Sequence, residues 1–119
     1  MMMRKKIRVI MYKEVDLFLD TLQEDAKNKI IYNVDKVANG HIDKELFKKL
    51  GSTDFWEFRT LFNGIHYRLL AFWDTEADTL IVATHGFIKK TQKTPQKEIC
   101  KADTIRRQYF EAKKLRYGK

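Results

Sequence analysis

The hydrophobic positions of this 119-residue chain change period twice. Ile7 to Tyr12 is short and β-branched, which predicts a strand. From Glu14 the spacing becomes helical. Val15, Phe18, Leu19 and Leu22, then Ala26, Ile30, Val34 and Val37, recur on one face. The polar cluster Gln23-Glu24-Asp25 interrupts that stripe. It reads as the corner of a helical hairpin or as a solvated bend in one helix. Asn39-Gly40 supplies a stop, since both residues tolerate the left-handed conformation that ends helices. Asp43 to Leu50 is expected to form a short helical turn, closed by Gly51.

The second half alternates with the period of strands. Phe55 to Phe62 is aromatic and alternating, and Ile65 to Trp73 is its return. Between them Asn63-Gly64 fits a two-residue turn whose central positions both need positive φ. Asp74 to Asp78 reads as a polar loop and Thr79 to Ile88 as a third strand. Thr94 is expected to cap a final helix with Pro95 at its first position. Ile99, Ala102, Ile105 and Tyr109 give that helix an apolar stripe. The order is a strand, a helical hairpin, a three-stranded meander and a C-terminal helix. That is a compact α+β fold, expected to be a single domain over residues 1–119.

The hairpin turn fixes register. Phe62 should face Ile65, and counting back, Arg59 should face Arg68. Trp56, Phe58, Phe62, Ile65, Tyr67, Leu69 and Trp73 then share the side that the helices cover. Glu57, Arg59, His66 and Arg68 share the other side, which is expected to be wet. Like charges directly opposite on a sheet cost about 0.2–1 kcal/mol. An anion held between two guanidiniums offsets that cost. The alternative is that Arg59 pairs with Glu57 and Arg68 points to water. Lys89, Lys90 and Lys93, at the end of the next strand, favour the anion.

Composition extends this picture. Lys and Arg outnumber Asp and Glu by 24 to 16, a net charge of +8. Such a surplus serves solubility, but cations gathered at strand ends point to a phosphate-rich partner. The single cysteine, Cys100, excludes a disulfide framework and a cysteine-based zinc site. It reads as a small packing residue in a helix, and its lack of partners fits a reducing cytoplasm. No apolar run is long enough for a signal peptide or a membrane span. No phosphate-loop motif, metal-ligand spacing or Ser-His-Asp arrangement is present, so no cofactor or metal is expected. His66 and His85 are candidates for proton transfer, because histidine titrates near neutrality. His66 lies on the arginine face, while the phase of His85 is open. Glu57, the nearby carboxylate on that face, is a candidate to take a proton from a ribose 2′-OH or, the favoured role, to hold Arg59 in place. His41 reads as a surface residue.

Trp56-Glu57-Phe58-Arg59, Tyr67-Arg68 and the run His85-Gly86-Phe87-Ile88-Lys89-Lys90-Thr91-Gln92-Lys93-Thr94-Pro95, with Glu98-Ile99 after it, resemble the phage-derived HigB-like branch of the RelE/ParE toxin superfamily. The resemblance extends from the first strand to the last helix. It implies a RelE/ParE-like fold and a toxin that cuts messenger RNA on the ribosome without a metal, by attack of a ribose 2′-OH on the adjacent phosphate. It implies a helix-turn-helix antitoxin as partner. By the resemblance Arg59 and Arg68 match the strand arginines, and Lys89, Lys90 and Lys93 match the basic run. Phe87 matches an apolar residue that can stack on a base. The expected catalytic set is Arg59, Arg68, Lys90 and His66; the expected RNA-binding set is Lys89, Lys93, Phe87 and His85. Phe58 departs from the usual leucine, and Ala83-Thr84 is more polar than the usual apolar pair. The same fold also carries gyrase-directed and non-catalytic RNA-binding or repressor members, which are the alternatives.

Overall fold

In the computed structural model, which describes residues 7–76 and 80–117, five strands form one mixed sheet. The elements run β1 (Arg8–Met11), α1 (Lys13–Asp20), α2 (Glu24–Ala38), β2 (Phe47–Lys49), β3 (Trp56–Phe62), β4 (Ile65–Trp73), β5 (Leu80–Lys89) and α3 (Gln96–Tyr117). The strand order is β1-β5-β4-β3-β2, with β1 parallel to β5 and the other neighbours antiparallel. Part of the expected polar loop, and Thr79 of the expected third strand, lie outside the described residues.

The helical hairpin forms, with its corner at Thr21 to Gln23. Its apolar stripe, including Val15, Leu19, Ile30, Val34 and Val37, packs on one sheet face against Phe58, Tyr67, Leu69, Ala71, Ile81 and Ala83. The β3–β4 hairpin has the predicted register: Phe62 pairs with Ile65, Thr60 with Tyr67, and Arg59 with Arg68. Asn63 and Gly64 adopt φ of 51° and 78°, as that turn requires. Ile65, expected under the helices, is instead partly exposed at the hairpin tip.

Residues 43–50 correct a second expectation. A turn survives at Asp43, whose carbonyl accepts from the amides of Leu46 and Phe47. The chain then extends as β2. Phe47 drives this change: it is fully buried, 4.8 Å from the Trp56 ring and 4.6 Å from Phe58. Only an extended edge strand delivers that ring to the core while leaving Lys48 and Lys49 exposed.

Part of the opposite sheet face is covered by α3. Ala102, Ile99, Tyr109 and Phe110 pack on Phe55, Leu70, Phe72, Leu80, Val82 and Phe87. Asp74 anchors the helix. Its buried carboxylate accepts from Tyr109 Oη at 2.6 Å and Lys113 Nζ at 2.7 Å. Burial alone raises the Asp74 pKa, but the bonds from Lys113, Tyr109 and the Glu76 amide outweigh burial and hold it below its ordinary value. Burial and the Asp74 bond push Tyr109 up to about 12. Pro95 sits one position before the first helical residue, its carbonyl accepting from Glu98 and Ile99. The Thr94 hydroxyl does not cap the helix, because it is bonded to a sheet carboxylate. Cys100 is exposed rather than packed.

Two features of β5 set what faces where. Leu70 pairs with His85 but Ala71 pairs with Ala83, so Thr84 is an extra residue, a β-bulge. The bulge reverses the strand's phase. Gly86 consequently faces α1, where Phe18 lies directly over its Cα. A methyl group there would run into the Phe18 ring and come within 2.7 Å of Leu69 Cδ2. We expect Gly86→Ala to lower unfolding stability by about 1–3 kcal/mol in urea titrations. Combined with Phe18→Ala, it should cost less than the two single changes added together. Additive losses would show that the close approach is not the constraint.

Candidate functional site

The face opposite α1 and α2 is only partly covered, and the uncovered part carries the cations. Cross-strand partners on an antiparallel pair share a face. Arg59 opposes Arg68, His66 opposes Lys89, and Lys48 opposes Glu57. These pairs place Lys48, Arg59, Arg68 and Lys89, from β2, β3, β4 and β5, on the same face. A cavity of about 600 Å³ is lined by Arg59, His66, Arg68, Lys89, Lys90, Thr91 and Gln92. A second of about 280 Å³ adjoins it, sharing Arg59, His66 and Arg68, with Glu45, Thr60 and Leu61.

Glu57 organises this face. Its side chain is 3 % exposed, and Oε1 lies 3.3 Å from Arg68 Nε and 3.6 Å from Arg59 Nε. Oε2 accepts from the Thr94 hydroxyl at 3.0 Å. Each guanidinium has a second tether. Arg68 Nη1 donates to the Tyr67 carbonyl at 3.1 Å, and Arg59 Nη1 to the Lys44 carbonyl at 3.0 Å. Neither Nε–H is aligned to an acceptor, although both are buried. The contacts with Glu57 are therefore ion pairs rather than formed hydrogen bonds. The guanidiniums keep donor capacity for an anion.

Arg68 is buried, with a side chain 4 % exposed, so its face is not wet as expected. The Glu57 charge is what makes that burial tolerable. Burial holds the Arg68 pKa below its ordinary value, opposed by Glu57 and reinforced by Arg59. Lys89 is half-buried, and burial pulls its pKa down; Glu57 opposes, while Arg68, Arg59 and Lys48 add to the lowering. Lys90 and His66 are exposed at the cavity wall.

Other expected site residues lie elsewhere. Phe87 is 8 % exposed, packed beneath α3 and paired with Arg68, so its ring does not present a stacking face. His85 is buried: Nδ1 is 2.9 Å from Thr84 Oγ1, and Nε2 is 3.0 Å from Glu98 Oε1. The bulge turned it toward α3, where it ties the helix's first turn to the sheet. Lys93 is exposed and does not line the cavity. Lys48, Thr91 and Gln92 were assigned no role by the sequence, and Thr94 was expected only as a helix cap. Reading 43–50 as helical hid Lys48, although Phe47-Lys48-Lys49 is also compatible with an edge strand. Among the described residues no group of three or more His, Cys, Asp or Glu side chains is placed to hold a metal ion.

The fold is similar to that of solved RelE toxin structures. Escherichia coli toxin RelE, as a doubly substituted mutant in the free state, is similar at 12% identity and a TM-score of 0.52, over 69% of this chain and 82% of that one. The archaeal RelE of a RelE–RelB complex from Pyrococcus horikoshii OT3 is similar at 20% identity and a TM-score of 0.52, over 76% of this chain and 100% of that one. Residues 17–107 match the family described as phage-derived protein Gp49-like (DUF891), and the chain belongs to that family. No match was found among curated proteins.

The site generates two predictions. Glu57→Gln leaves Arg68 buried beside a neutral amide and should cost about 3 kcal/mol of stability in urea titrations. Sulfate should raise the melting temperature of that variant more than that of the parent, since an anion then replaces the missing charge. Equal sulfate effects would count against the ion-pair account. The second prediction concerns pH. Burial holds the His85 pKa below 6.5, with Glu98 opposing. The folded imidazole then binds fewer protons than the unfolded one, so stability falls as pH drops through and below 6.5. Melts at pH 7.5 and 5.0 should show a larger loss for the parent than for His85→Gln. Equal losses would assign the acid sensitivity to other groups.

Proposed function

We propose that this protein is the toxin of a toxin–antitoxin pair of HigB-like type, and that it is an endoribonuclease acting on messenger RNA at the ribosome, in the cytoplasm. The observation that carries this reading is the convergence of Arg59, Arg68, Lys89 and Lys90 with His66 on one cavity, around an oriented carboxylate. Such a site suits a phosphodiester whose negative charge grows during reaction.

In the proposed reaction the ribose 2′-oxygen attacks the adjacent phosphorus, a cyclic 2′,3′-phosphate forms, and the 5′-oxygen of the next nucleotide leaves. Lys89 takes the 2′-OH proton: it lines the cavity, and its lowered pKa favours the neutral amine. Arg59 and Arg68 stabilise the charge on the pentacoordinate phosphorus through guanidinium N–H groups other than the buried Nε–H. Lys90 adds positive charge at the wall. His66 supplies the proton to the leaving oxygen. Glu57 is a positioning residue. The proposed partner is an antitoxin with acidic segments that cover this cleft. The complexed state of the Pyrococcus horikoshii RelE with RelB supports that reading.

Arg59 is the better test residue, since removing Arg68 strands the buried Glu57. We expect Arg59→Ala and Lys89→Ala each to reduce cutting by roughly a hundredfold or more while the protein stays folded. Arg68→Lys should rescue poorly, because an ammonium cannot reproduce the planar fork. Primer extension on messenger RNA from cells expressing each variant reads the outcome. Full cutting by Arg59→Ala would remove that residue from the site. Growth arrest by the parent with intact RNA and broken DNA would replace the nuclease by a gyrase-directed toxin.

A further inference from the structure

Resting on the nuclease reading, we propose that the 280 Å³ pocket beside the cleft is a nucleobase subsite, with guanine its preferred occupant and Glu45 the residue that selects it. Three observations lead there. The pocket shares Arg59, His66 and Arg68 with the larger cationic cleft, so a nucleotide whose phosphate lies between the arginines has its base within reach of it. The pocket also holds an unusual surface. Leu61 is 60 % exposed and directly opposite the exposed His66 ring, both on the arginine face. An exposed leucine beside an imidazole offers an apolar and aromatic platform for a base, a role that the buried Phe87 does not fill.

The third observation is an acidic residue, Glu45, on the lining of an otherwise cationic site. Its backbone is fixed from two sides. The Glu45 amide donates to Asp43 Oδ1 at 2.8 Å, and Arg59 grips the neighbouring carbonyls of Leu46 and Lys44 through its amide and Nη1. A carboxylate weakens binding of a bare polyanion, and it earns a place only if it meets donors. Among the bases guanine presents two adjacent donors, N1–H and the exocyclic amine, matching two carboxylate oxygens. Adenine and cytosine present one amine each. Uracil presents a single N–H flanked by two carbonyl oxygens that the carboxylate repels.

The test maps cut sites in messenger RNA from cells expressing the parent, Glu45→Ala and Leu61→Ser. The parent should enrich guanine and deplete uracil at one fixed position beside the cut bond. Among the cuts that remain in Glu45→Ala, the guanine-to-uracil ratio at that position should fall roughly tenfold. Leu61→Ser should lower cutting at all sites severalfold and leave the preference in place. No preference beside the cut, or the same preference in Glu45→Ala, would overturn the subsite and leave the nuclease standing. If the parent cuts no RNA, the nuclease reading fails, and the purified protein's binding to 2′-O-methyl hexamers decides the subsite. Guanosine hexamers bound about tenfold tighter than uridine hexamers, with the difference lost in Glu45→Ala, would uphold it. Equal binding, or none, would overturn it.

Discussion

The cleft depends on one buried charge. Glu57 sits on β3 with its carboxylate almost wholly enclosed, and three elements reach it: Arg59 from its own strand, Arg68 from β4, and Thr94 from the segment leading into α3. A buried carboxylate without partners is unfavourable by several kcal/mol, and so is a buried guanidinium. Here each makes the other tolerable, and the two arginines that would repel across the strand pair share a single counter-charge. The stoichiometry is unequal. One carboxylate faces two guanidiniums, with Lys89, Lys90 and Lys48 around them, so the face keeps a positive excess that an anion from outside can complete.

The bulge at Thr84 decides which cations belong to that face. In a strictly alternating strand Lys89 would share a side with Ala83 and point under the helical hairpin. The extra residue reverses the phase, which brings Lys89 opposite His66 and turns His85 toward Glu98. The Thr84 hydroxyl donates to the Leu70 carbonyl beside the irregularity, which gives this position a use for a hydroxyl that valine or isoleucine cannot meet. The same reversal forces Gly86 beneath Phe18. Packing on one face and chemistry on the other are thus set by one inserted residue, a familiar use of bulges near functional sites.

Much of this was legible in the chain. Asn63-Gly64 fixed the β3–β4 register, and with it the Arg59–Arg68 pairing, because side-chain period and turn type leave little freedom. The helical stripes were legible because their repeat is long. Three things were not. The Phe47 strand is only three residues long, and its identity depends on Trp56 and Phe58, which are distant in sequence. The phase of β5 was hidden because a bulge carries no sequence mark stronger than one polar residue among apolar ones. The burial of Arg68 was hidden because alternation reports a face, not what covers it; α3 and Thr94 close over a side that looked open.

The last of these bears on the chemistry. It concerns how far the segment leading into α3 reaches across the second face of the sheet. Two links hold that segment: Glu98 to His85, and Thr94 to Glu57. Between β5 and those links run Lys90, Thr91 and Gln92, which form one wall of the cleft. The wall is therefore held between the end of the β5 ladder and these buried or half-buried polar contacts. Such contacts are directional and short-ranged, so they hold a loop in one register, whereas a greasy contact would let it slide. At the start of this wall stands the half-buried Lys89, whose pKa is lowered by burial and by the neighbouring Arg68, Arg59 and Lys48, with Glu57 opposing.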